Sequence, residues 1–249
     1  MIHQDGSTHE WVVGQKWDLI VTMDDATNEY DSMFFVEEEG TMSSLQGVRE
    51  VIESRGLFLT FYSDRGSHYW HTPEAGGEVD KQNPTQFGQA LRRLGIERIA
   101  AHSPEARWRC ERMFRTHQEL LPRELALAGI TDRVAANRYL TEVYRPAFNA
   151  EFMQPAMEEG SAFVGWIGGP LDDILAERFE RTVGNDNCVS CEGMTLQIPA
   201  DRHRCHDVKA KVSVLRRIDR TLAILHGPRQ LADDDETGKA LPPEIQAAA

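Results

Sequence analysis

The sequence Gly56-Leu57-Phe58-Leu59-Thr60-Phe61-Tyr62-Ser63-Asp64-Arg65-Gly66-Ser67-His68 decides how this chain is interpreted. Its first half, residues 56–61, is apolar and predicts a buried strand. Asp64 follows on a loop that contains Gly66. A carboxylate that leaves the core at the end of a buried strand is well placed to hold a metal ion or a reacting group. Asp64 is therefore the first candidate site residue.

Two further acids occur in suggestive positions. Asp5 lies in His3-Gln4-Asp5-Gly6-Ser7, inside the first predicted strand and 59 residues before Asp64. Glu111 lies 47 residues after Asp64. It belongs to a predicted helix that begins at Ser103-Pro104, because serine caps free amides and proline is tolerated in a first turn. We hypothesise that the three acids form one site.

The composition is that of a globular protein: 249 residues, 41% hydrophobic and 27% charged, with a formal net charge of −13. No apolar run approaches the roughly 18 residues that a membrane span needs, and the first residues lack the pattern of a secretory signal. Four cysteines argue against a disulfide framework. We therefore expect a cytoplasmic protein, and the acidic balance argues against one that coats nucleic acid by bulk electrostatics.

The hydrophobic pattern predicts an α/β domain over residues 1–150. Three strands with short turns indicate an antiparallel meander, and later strands alternate with helices, so we expect a mixed sheet flanked by helices. The predicted strands are Ile2–Trp11, Trp17–Met23, Glu29–Val36, Gly56–Phe61 and Ile96–Ala101. The predicted helices run from Thr41 or Ser43 to Arg55, over Pro84–Leu94, from Ser103-Pro104 to about Leu121, and over about Asp132–Ala150.

The C-terminal part of the chain has a different character. Residues 151–178 are rich in glycine and proline and are predicted to form a linker. Residues 179–232 contain short β-rich runs, which predict a small β-barrel domain. This segment carries 9 basic and 6 acidic side chains and is therefore a basic segment in an acidic chain. Residues 233–249 are acidic, end in proline- and alanine-rich sequence, and predict a disordered tail.

Four motifs give the N-terminal part a family resemblance. They are His3-Gln4-Asp5-Gly6-Ser7, Met23-Asp24-Asp25-Ala26-Thr27, Tyr62-Ser63-Asp64-Arg65, and Ser103-Pro104 followed by Glu111-Arg112. Together they resemble the integrase-type catalytic core of DDE transposases, and among these the bacterial insertion-sequence transposases of the ISNCY kind. The resemblance covers about residues 2–152 and continues through Arg181-Thr182-Val183, Leu196-Gln197-Ile198-Pro199 and His226-Gly227-Pro228-Arg229.

This resemblance implies a ribonuclease H-like fold and an enzyme that cleaves transposon-end DNA and joins it to target DNA by in-line phosphoryl transfer. Asp5, Asp64 and Glu111 would be catalytic and would bind Mg²⁺ or Mn²⁺. In a two-metal site, one ion activates the attacking hydroxyl or water and the other stabilises the leaving oxygen. The implied partners are DNA and further copies of the same chain, in a bacterial cytoplasm and on the nucleoid when DNA is bound.

Basic side chains recur around the helix of Glu111 and in the basic segment. They are Arg107, Arg109, Arg112, Arg115, Lys209 and Lys211. Guanidinium groups hold phosphate oxygens well, so these residues are candidates for DNA binding. The alternative interpretation is a solvated basic surface.

A second interpretation of the whole chain stays open. Such transposases normally carry a helix-turn-helix region ahead of the core, whereas Met1 stands only four positions before Asp5. The bulky Trp108 also lies close to Glu111 in the predicted helix. On this interpretation the chain is a truncated, catalytically inactive remnant that binds DNA or a partner transposase.

A zinc site in the C-terminal part is a further alternative. Its candidate ligands are Cys188, Cys191, His203, Cys205 and His206. A single CxxC pair is a weak signal, because structural zinc sites normally need a second pair at suitable spacing. The zinc interpretation therefore rests on this cluster alone.

Overall fold

The computed structural model describes residues 1–74, 77–101, 104–200 and 206–242, without the side chains of residues 104–111. The chain divides into two compact units, Met1–Gly169 and Pro170–Ala249. Within the described ranges, no helix combines the length and the apolar composition that crossing a membrane requires.

The first unit contains a five-stranded mixed sheet, as the sequence predicts. β1 (Ile2–Val12), β2 (Gln15–Asp24) and β3 (Tyr30–Val36) form an antiparallel meander, and β4 (Thr60–Ser63) and β5 (Glu97–Ala100) run parallel to β1. The order across the sheet is β3-β2-β1-β4-β5. β1 is therefore the central strand, and its side chains alternate between the two faces.

Helices cover both faces of this sheet. They are α1 (Thr41–Ser54), α2 (Gln86–Arg93), α3 (Pro104–Leu127), α4 (Arg133–Tyr139) and α5 (Arg145–Phe152). α3 continues past the predicted end at Leu121, although Pro122 cannot donate a backbone hydrogen bond. Leu121 and Leu125 are fully buried on either side of the proline. Their burial offsets the cost of the missing hydrogen bond.

The strand that leads to the candidate acid is shorter than the apolar run predicts. β4 begins at Thr60, and Leu57 forms only an isolated bridge outside the sheet. Leu59 is 71% exposed, so the run is not buried throughout. The chain leaves α1 through Gly56, whose φ of 106° favours glycine, and joins the sheet only after this turn.

The predicted helix over about residues 132–150 is one helical run with a π turn in its middle. The π turn is Leu140–Tyr144, between α4 and α5. The buried side chains of α4 and the π turn are Ala136, Leu140 and Tyr144. Val134 and Val143 are 80% and 48% exposed, so neither valine belongs to the core.

The outer edge of β3 is closed by side chains. Asn137 accepts a hydrogen bond from the N–H of Phe35 (2.6 Å) and donates one to its carbonyl (3.0 Å). Asn149 makes the same pair of bonds with Tyr30 (2.8 Å and 3.0 Å). These amides satisfy backbone groups that an open edge would leave for water or for another chain.

The second unit is an antiparallel sheet with a separate hairpin. The sheet contains β6 (Glu177–Thr182), β9 (Lys211–Arg216), β10 (Leu222–His226) and β11 (Arg229–Asp234), in the order β11-β10-β9-β6. The hairpin contains β7 (Cys188–Cys191) and β8 (Met194–Gln197). In the part of this unit that the structure describes, the sheet is open and no closed barrel is found, which differs from the predicted small barrel.

The segments predicted as linker and tail contain regular structure. The short helix α6 (Leu171–Ile174) and the start of β6 lie within residues 151–178. β11 extends to Asp234, and the chain then turns back so that the N–H of Leu241 donates to the carbonyl of Asp233 (2.8 Å). Asp235 accepts hydrogen bonds from the N–H groups of Thr237 and Lys239. Acidic residues that suggest disorder by composition thus stabilise a turn.

Removing either asparagine at the edge of β3 should destabilise the fold, because two backbone groups lose their partners. We expect Asn137→Ala and Asn149→Ala each to lower the free energy of unfolding by about 1–3 kcal/mol, as measured by urea denaturation. The matched control is Asn83→Ala, because Asn83 is exposed and bonds the neighbouring Asp80. Its effect should stay below about 0.5 kcal/mol, and equal effects of all three changes would contradict the edge-closing role.

His117 lies in a buried polar chain between two tyrosines. Its Nε2 is 3.0 Å from the hydroxyl of Tyr30, and its Nδ1 is 2.8 Å from the hydroxyl of Tyr144. The residue is fully buried, and burial lowers the pKa of His117 from 6.5 to about 4. The folded protein therefore holds this imidazole in its neutral form at neutral pH.

The free energy of unfolding should consequently fall in acid, because His117 is neutral in the folded protein and becomes protonated on unfolding. Because its folded pKa lies below its unfolded pKa, the contribution is complete above about pH 6.5 and is lost as the pH falls toward 4. The full loss is on the order of 3 kcal/mol. We expect the free energy of unfolding of the wild type to fall more steeply over this range than that of His117→Phe.

Two buried carboxyls change the stability with pH in the direction opposite to His117. Burial raises the pKa of Asp31 and of Asp234 to about 6, so each favours the fold at low pH and loses this effect as the pH rises through about 6. Both acids remain in His117→Phe, so the difference between the two proteins isolates His117. Parallel pH profiles, or an NMR titration of His117 near its ordinary pKa, would contradict the prediction.

Candidate functional site

The parallel pairing of β1 and β4 aligns the strand residues that precede Asp5 and Asp64. The register aligns His3 with Tyr62, an offset of 59 residues, and the same offset separates Asp5 from Asp64. The rings of His3 and Tyr62 stack with their centroids 4.5 Å apart, so the aligned side chains share a face. The paired register ends at His3 and Tyr62, two positions before the two acids, and Asp64 directly follows the last residue of β4. Adjacent strands lie about 4.8 Å apart, so the two acids would lie side by side if the same register continued.

Helix α3 covers this face of the sheet. Gln118 of α3 donates a hydrogen bond to the hydroxyl oxygen of Ser7 (2.9 Å). Ser7 is two positions after Asp5 and therefore projects to the same side of β1. Trp11, further along the same side, is buried in one core cluster with Leu121 of α3. Asp5 thus projects to the α3 side of the sheet.

Each of the two carboxylates is oriented by the N–H of a nearby glycine. The N–H of Gly6 donates to Asp5 Oδ1 (3.0 Å), and the N–H of Gly66 donates to Asp64 Oδ1 (2.8 Å). Both aspartates are partly exposed. Mg²⁺ prefers oxygen ligands, binds through one or two carboxylates and keeps several waters, so the donors of this pair fit a magnesium ion.

The third predicted acid, Glu111, lies in α3. Its side chain falls outside the described residues, as do the side chains of Arg107 and Arg109. Among the described side chains, no three or more His, Cys, Asp or Glu residues are gathered closely enough to hold a metal ion. Arg112 and Arg115 are described and are exposed on α3.

The opposite face of β1 carries a buried polar network that the sequence analysis missed. Gln4 is 2% exposed. Its amide nitrogen donates to the hydroxyl of Thr22 (2.8 Å) and to the carbonyl of Ser44 (3.2 Å), and its amide oxygen accepts from the hydroxyl of Tyr69 (2.9 Å). The absence of a side chain at Gly47 of α1 leaves space for the Gln4 amide, because a Cβ there would lie 2.1 Å from Gln4 Nε2. The signals in the sequence were a glutamine inside a predicted strand and a glycine inside a predicted helix.

Tyr69 joins this network to the loop that follows Asp64. Burial, and after it the negative charges of Glu39, Asp5 and Asp64, raise the pKa of the Tyr69 hydroxyl well above its ordinary value, against a hydrogen bond with Ser44 that lowers it. The hydroxyl therefore stays protonated and remains a hydrogen-bond donor.

A third carboxylate, that of Glu39, lies on the Gln4 side of β1. It rests against Gly6, where a Cβ would lie 2.3 Å from Glu39 Oε2, and its Oε1 is 3.4 Å from His68 Nε2. Side chains at positions 5 and 6 of a strand point to opposite faces. Glu39 therefore lies across the strand from Asp5 and is not a third member of the Asp5–Asp64 pair.

Two arginines of the basic segment are paired with acids in the second unit. The pairs are Arg216 with Glu177 and Glu192, and Arg217 with Asp173 and Asp233. Three of these acids lie outside residues 179–232, so a charge count along the sequence overstates the basic surface. The predicted DNA-binding residues Lys209 and Lys211 are both exposed.

The CxxC pair lies in β7. Positions 188 and 191 of a strand project to opposite faces. The thiol of Cys188 donates to Gln197 Oε1 (3.1 Å), whereas Cys191 is buried in the core of the second unit. Burial raises the pKa of both thiols, which disfavours the thiolate that zinc needs. The two cysteines therefore do not converge on one metal ion, and His203 and Cys205 lie outside the described residues.

In comparisons with known proteins, the chain is similar in sequence to two transposases. No family model matches it. Over 204 residues, or 80% of the chain, it is 31% identical to a protein named transposase y4bF from Sinorhizobium fredii, of which the match covers 44%. Over 152 residues, or 61% of the chain, it is 27% identical to the transposase for insertion sequence IS1202 of Streptococcus pneumoniae, of which the match covers 32%. The chain thus spans less than half the length of these relatives.

Two solved structures were also matched. The catalytic core domain of HTLV-2 integrase, in complex with magnesium, has a TM-score of 0.41 and 14% identity, covering 57% of this chain and 86% of that one. The catalytic core domain of BIV integrase has a TM-score of 0.41 and 15% identity, covering 64% and 85%. The resemblance to insertion-sequence transposases that the motifs indicate is confirmed by the sequence match over four fifths of the chain.

Proposed function

We propose that this chain contains the catalytic core of a DDE transposase, a ribonuclease H-like enzyme that cleaves and joins DNA strands by in-line phosphoryl transfer. The observation that carries the proposal is the offset of 59 residues, which both aligns β1 with β4 and separates Asp5 from Asp64. From this offset we infer that two acids from distant parts of the chain meet at one end of one face of the sheet. The sequence match to insertion-sequence transposases supports the same function.

The direction of α3 supports Glu111 as the third acid. Gln118 contacts Ser7 in the middle of β1. Beyond the end of α3, the carbonyl of Thr131 accepts a hydrogen bond from Gln15, just after the end of β1 (2.7 Å). α3 and β1 therefore run in the same direction, so residues before Gln118 in α3 lie beside residues before Ser7 in β1.

Position 111 lies seven residues, or about two helical turns, before Gln118 in α3. A seven-residue step returns to nearly the same side of a helix. Asp5 lies two residues before Ser7 in β1. Glu111 precedes Gln118 in α3, and Asp5 precedes Ser7 in β1. Because the two elements run in the same direction and Gln118 contacts Ser7, we assign Glu111 to the same site as Asp5.

The proposed chemistry depends on charge and on position. A bound divalent metal ion would lower the pKa of the attacking hydroxyl or water and neutralise charge on the phosphate. Asp5 and Asp64 would hold it through carboxylates that the N–H groups of Gly6 and Gly66 orient, and Glu111 would complete the ligand set. A sheet is a suitable scaffold, because in-line transfer needs the reacting oxygens fixed on opposite sides of the phosphorus.

We propose that each unit contacts DNA separately, the first through the exposed side of α3 and the second through exposed lysines. The proposed phosphate contacts are Arg107, Arg109, Arg112, Arg115, Lys209 and Lys211. We further propose that the second unit helps to hold DNA or another copy of the chain, and that the enzyme works on chromosomal DNA in the bacterial cytoplasm as a homo-oligomer.

Neutralising one aspartate should abolish the reaction. We expect Asp64→Asn to remove all Mg²⁺- or Mn²⁺-dependent cleavage and joining of DNA taken from the ends of the element that encodes the chain, because one carboxylate charge of the metal site is lost. The measurement is a strand-cleavage and strand-transfer assay on labelled oligonucleotides, with Asp5→Asn and Glu111→Gln in parallel.

The matched control for this assay is Asp80→Asn. Asp80 lies in the loop beyond Asp64, and its carboxylate accepts hydrogen bonds from Gln82 and Asn83. The Asp80→Asn protein should therefore be as active as the wild type. An active Asp64→Asn protein would contradict the site. A wild type that binds DNA but shows no metal-dependent cleavage or joining would favour the inactive, DNA-binding alternative.

Phosphate contact by α3 makes a separate prediction. We expect Arg115→Ala to weaken binding to DNA of any sequence and to reduce the slope of log affinity against log salt by about 1. Arg49→Ala is the control, because Arg49 lies on α1 across the sheet and pairs with Glu53 (2.7 Å). The same salt slope in Arg115→Ala and Arg49→Ala would show that Arg115 belongs to a solvated surface. Fluorescence anisotropy over a salt series gives both slopes.

A further inference from the structure

Tyr69 links the loop after Asp64 to the strand that carries Asp5. Its hydroxyl donates to Gln4 Oε1 (2.9 Å), and Gln4 immediately precedes Asp5 in β1. The N–H of Tyr69 donates to the carbonyl of Gly66 (3.0 Å) and so closes the turn that follows Asp64. A short path of covalent and hydrogen bonds through Gln4, Tyr69 and Gly66 therefore connects Asp5 with Asp64.

The backbone around Tyr69 is fixed as well. Its carbonyl accepts hydrogen bonds from the hydroxyl of Thr85, which caps α2, and from Arg98 Nη1 of β5 (both 3.0 Å). The indole of Trp70 donates to the hydroxyl of Ser63, the last residue of β4 (3.0 Å). These bonds hold the loop to α2, β4 and β5, and the Tyr69 hydroxyl adds the link to β1.

We propose that Tyr69, acting through Gln4, is a positioning residue that holds Asp64 level with Asp5 and thereby sets the affinity of the pair for a divalent metal ion. The inference rests on the proposed function, because it takes the two aspartates as metal ligands. Tyr69 is 1% exposed, and its partner Gln4 faces away from the α3 side, so it acts on the aspartates without touching the substrate.

The side-chain chemistry supports this role. Tyr69 stays protonated and therefore offers its hydroxyl as a donor, while the Gln4 amide oxygen accepts it and the Gln4 nitrogen is held by Thr22 and Ser44. Groups that orient metal-binding side chains typically change metal affinity 10–100-fold when they are removed. Without the hydroxyl, Gln4 loses its link to the loop, and the loop can move relative to β1.

The test compares Tyr69→Phe with Tyr144→Phe in the full chain. Tyr69→Phe removes the hydroxyl and keeps a ring that packs between Phe61 and Phe87. Tyr144→Phe is the matched control, because it also removes one buried hydroxyl, the one bonded to His117. A structural defect alone would affect both variants.

Two readouts are measured without DNA: Mn²⁺ affinity by electron paramagnetic resonance, and hydrogen exchange of the backbone amides of residues 64–68. We expect Tyr69→Phe to bind Mn²⁺ roughly tenfold more weakly than the wild type and to exchange faster over this loop. Tyr144→Phe should stay within about twofold of the wild type in both. If Tyr69→Phe does not fold, Gln4→Met, which has a similar length and no amide, replaces it with the same expected result.

Asp64→Asn separates this inference from the proposed function. If Asp64→Asn binds Mn²⁺ as tightly as the wild type, the aspartates are not the metal site, and both proposals are overturned. If Asp64→Asn loses Mn²⁺ while Tyr69→Phe binds it like Tyr144→Phe, the positioning role alone is overturned. Loss of Mn²⁺ in Asp64→Asn with weakened binding only in Tyr69→Phe supports the inference.

Discussion

The candidate site depends on a short stretch of parallel pairing between β1 and β4. A register slip of one residue would turn one aspartate to the other face, because strand side chains alternate. Contacts on both faces oppose such a slip. On the α3 side His3 stacks on Tyr62, and on the other side Gln4 bonds Tyr69. The position of two catalytic candidates is therefore a consequence of packing and hydrogen bonding around them.

Part of this arrangement was predictable from the sequence. Alternating strands followed by helices predict the mixed sheet, and the apolar run before Asp64 predicts an acid at a strand end. The roles of Gln4 and Tyr69 could not be predicted, because both are uncharged and their hydrogen bond joins residues 65 positions apart. No local pattern signals such a contact. The sequence feature related to this network is Gly47, because glycine is unfavourable inside a helix.

The differences between prediction and structure have a common physical cause, which is that tertiary contacts override local preference. Pro122 continues a helix because the leucines around it are buried. Leu59 is exposed although it lies in an apolar run. In the second unit, Arg217 is paired with acids from distant parts of the chain, so a charge count along the sequence overstates the basic surface of this segment. Patterns within a window cannot contain this information.

The closed edge of β3 has a consequence for assembly. A sheet grows by accepting a new strand along an edge whose N–H and carbonyl groups are available. On this side, Asn137 and Asn149 already occupy those groups at Phe35 and Tyr30, and Arg145 donates to the carbonyl of Asp31. A further strand therefore cannot pair with these positions of β3, so copies of this chain cannot join their central sheets along that edge.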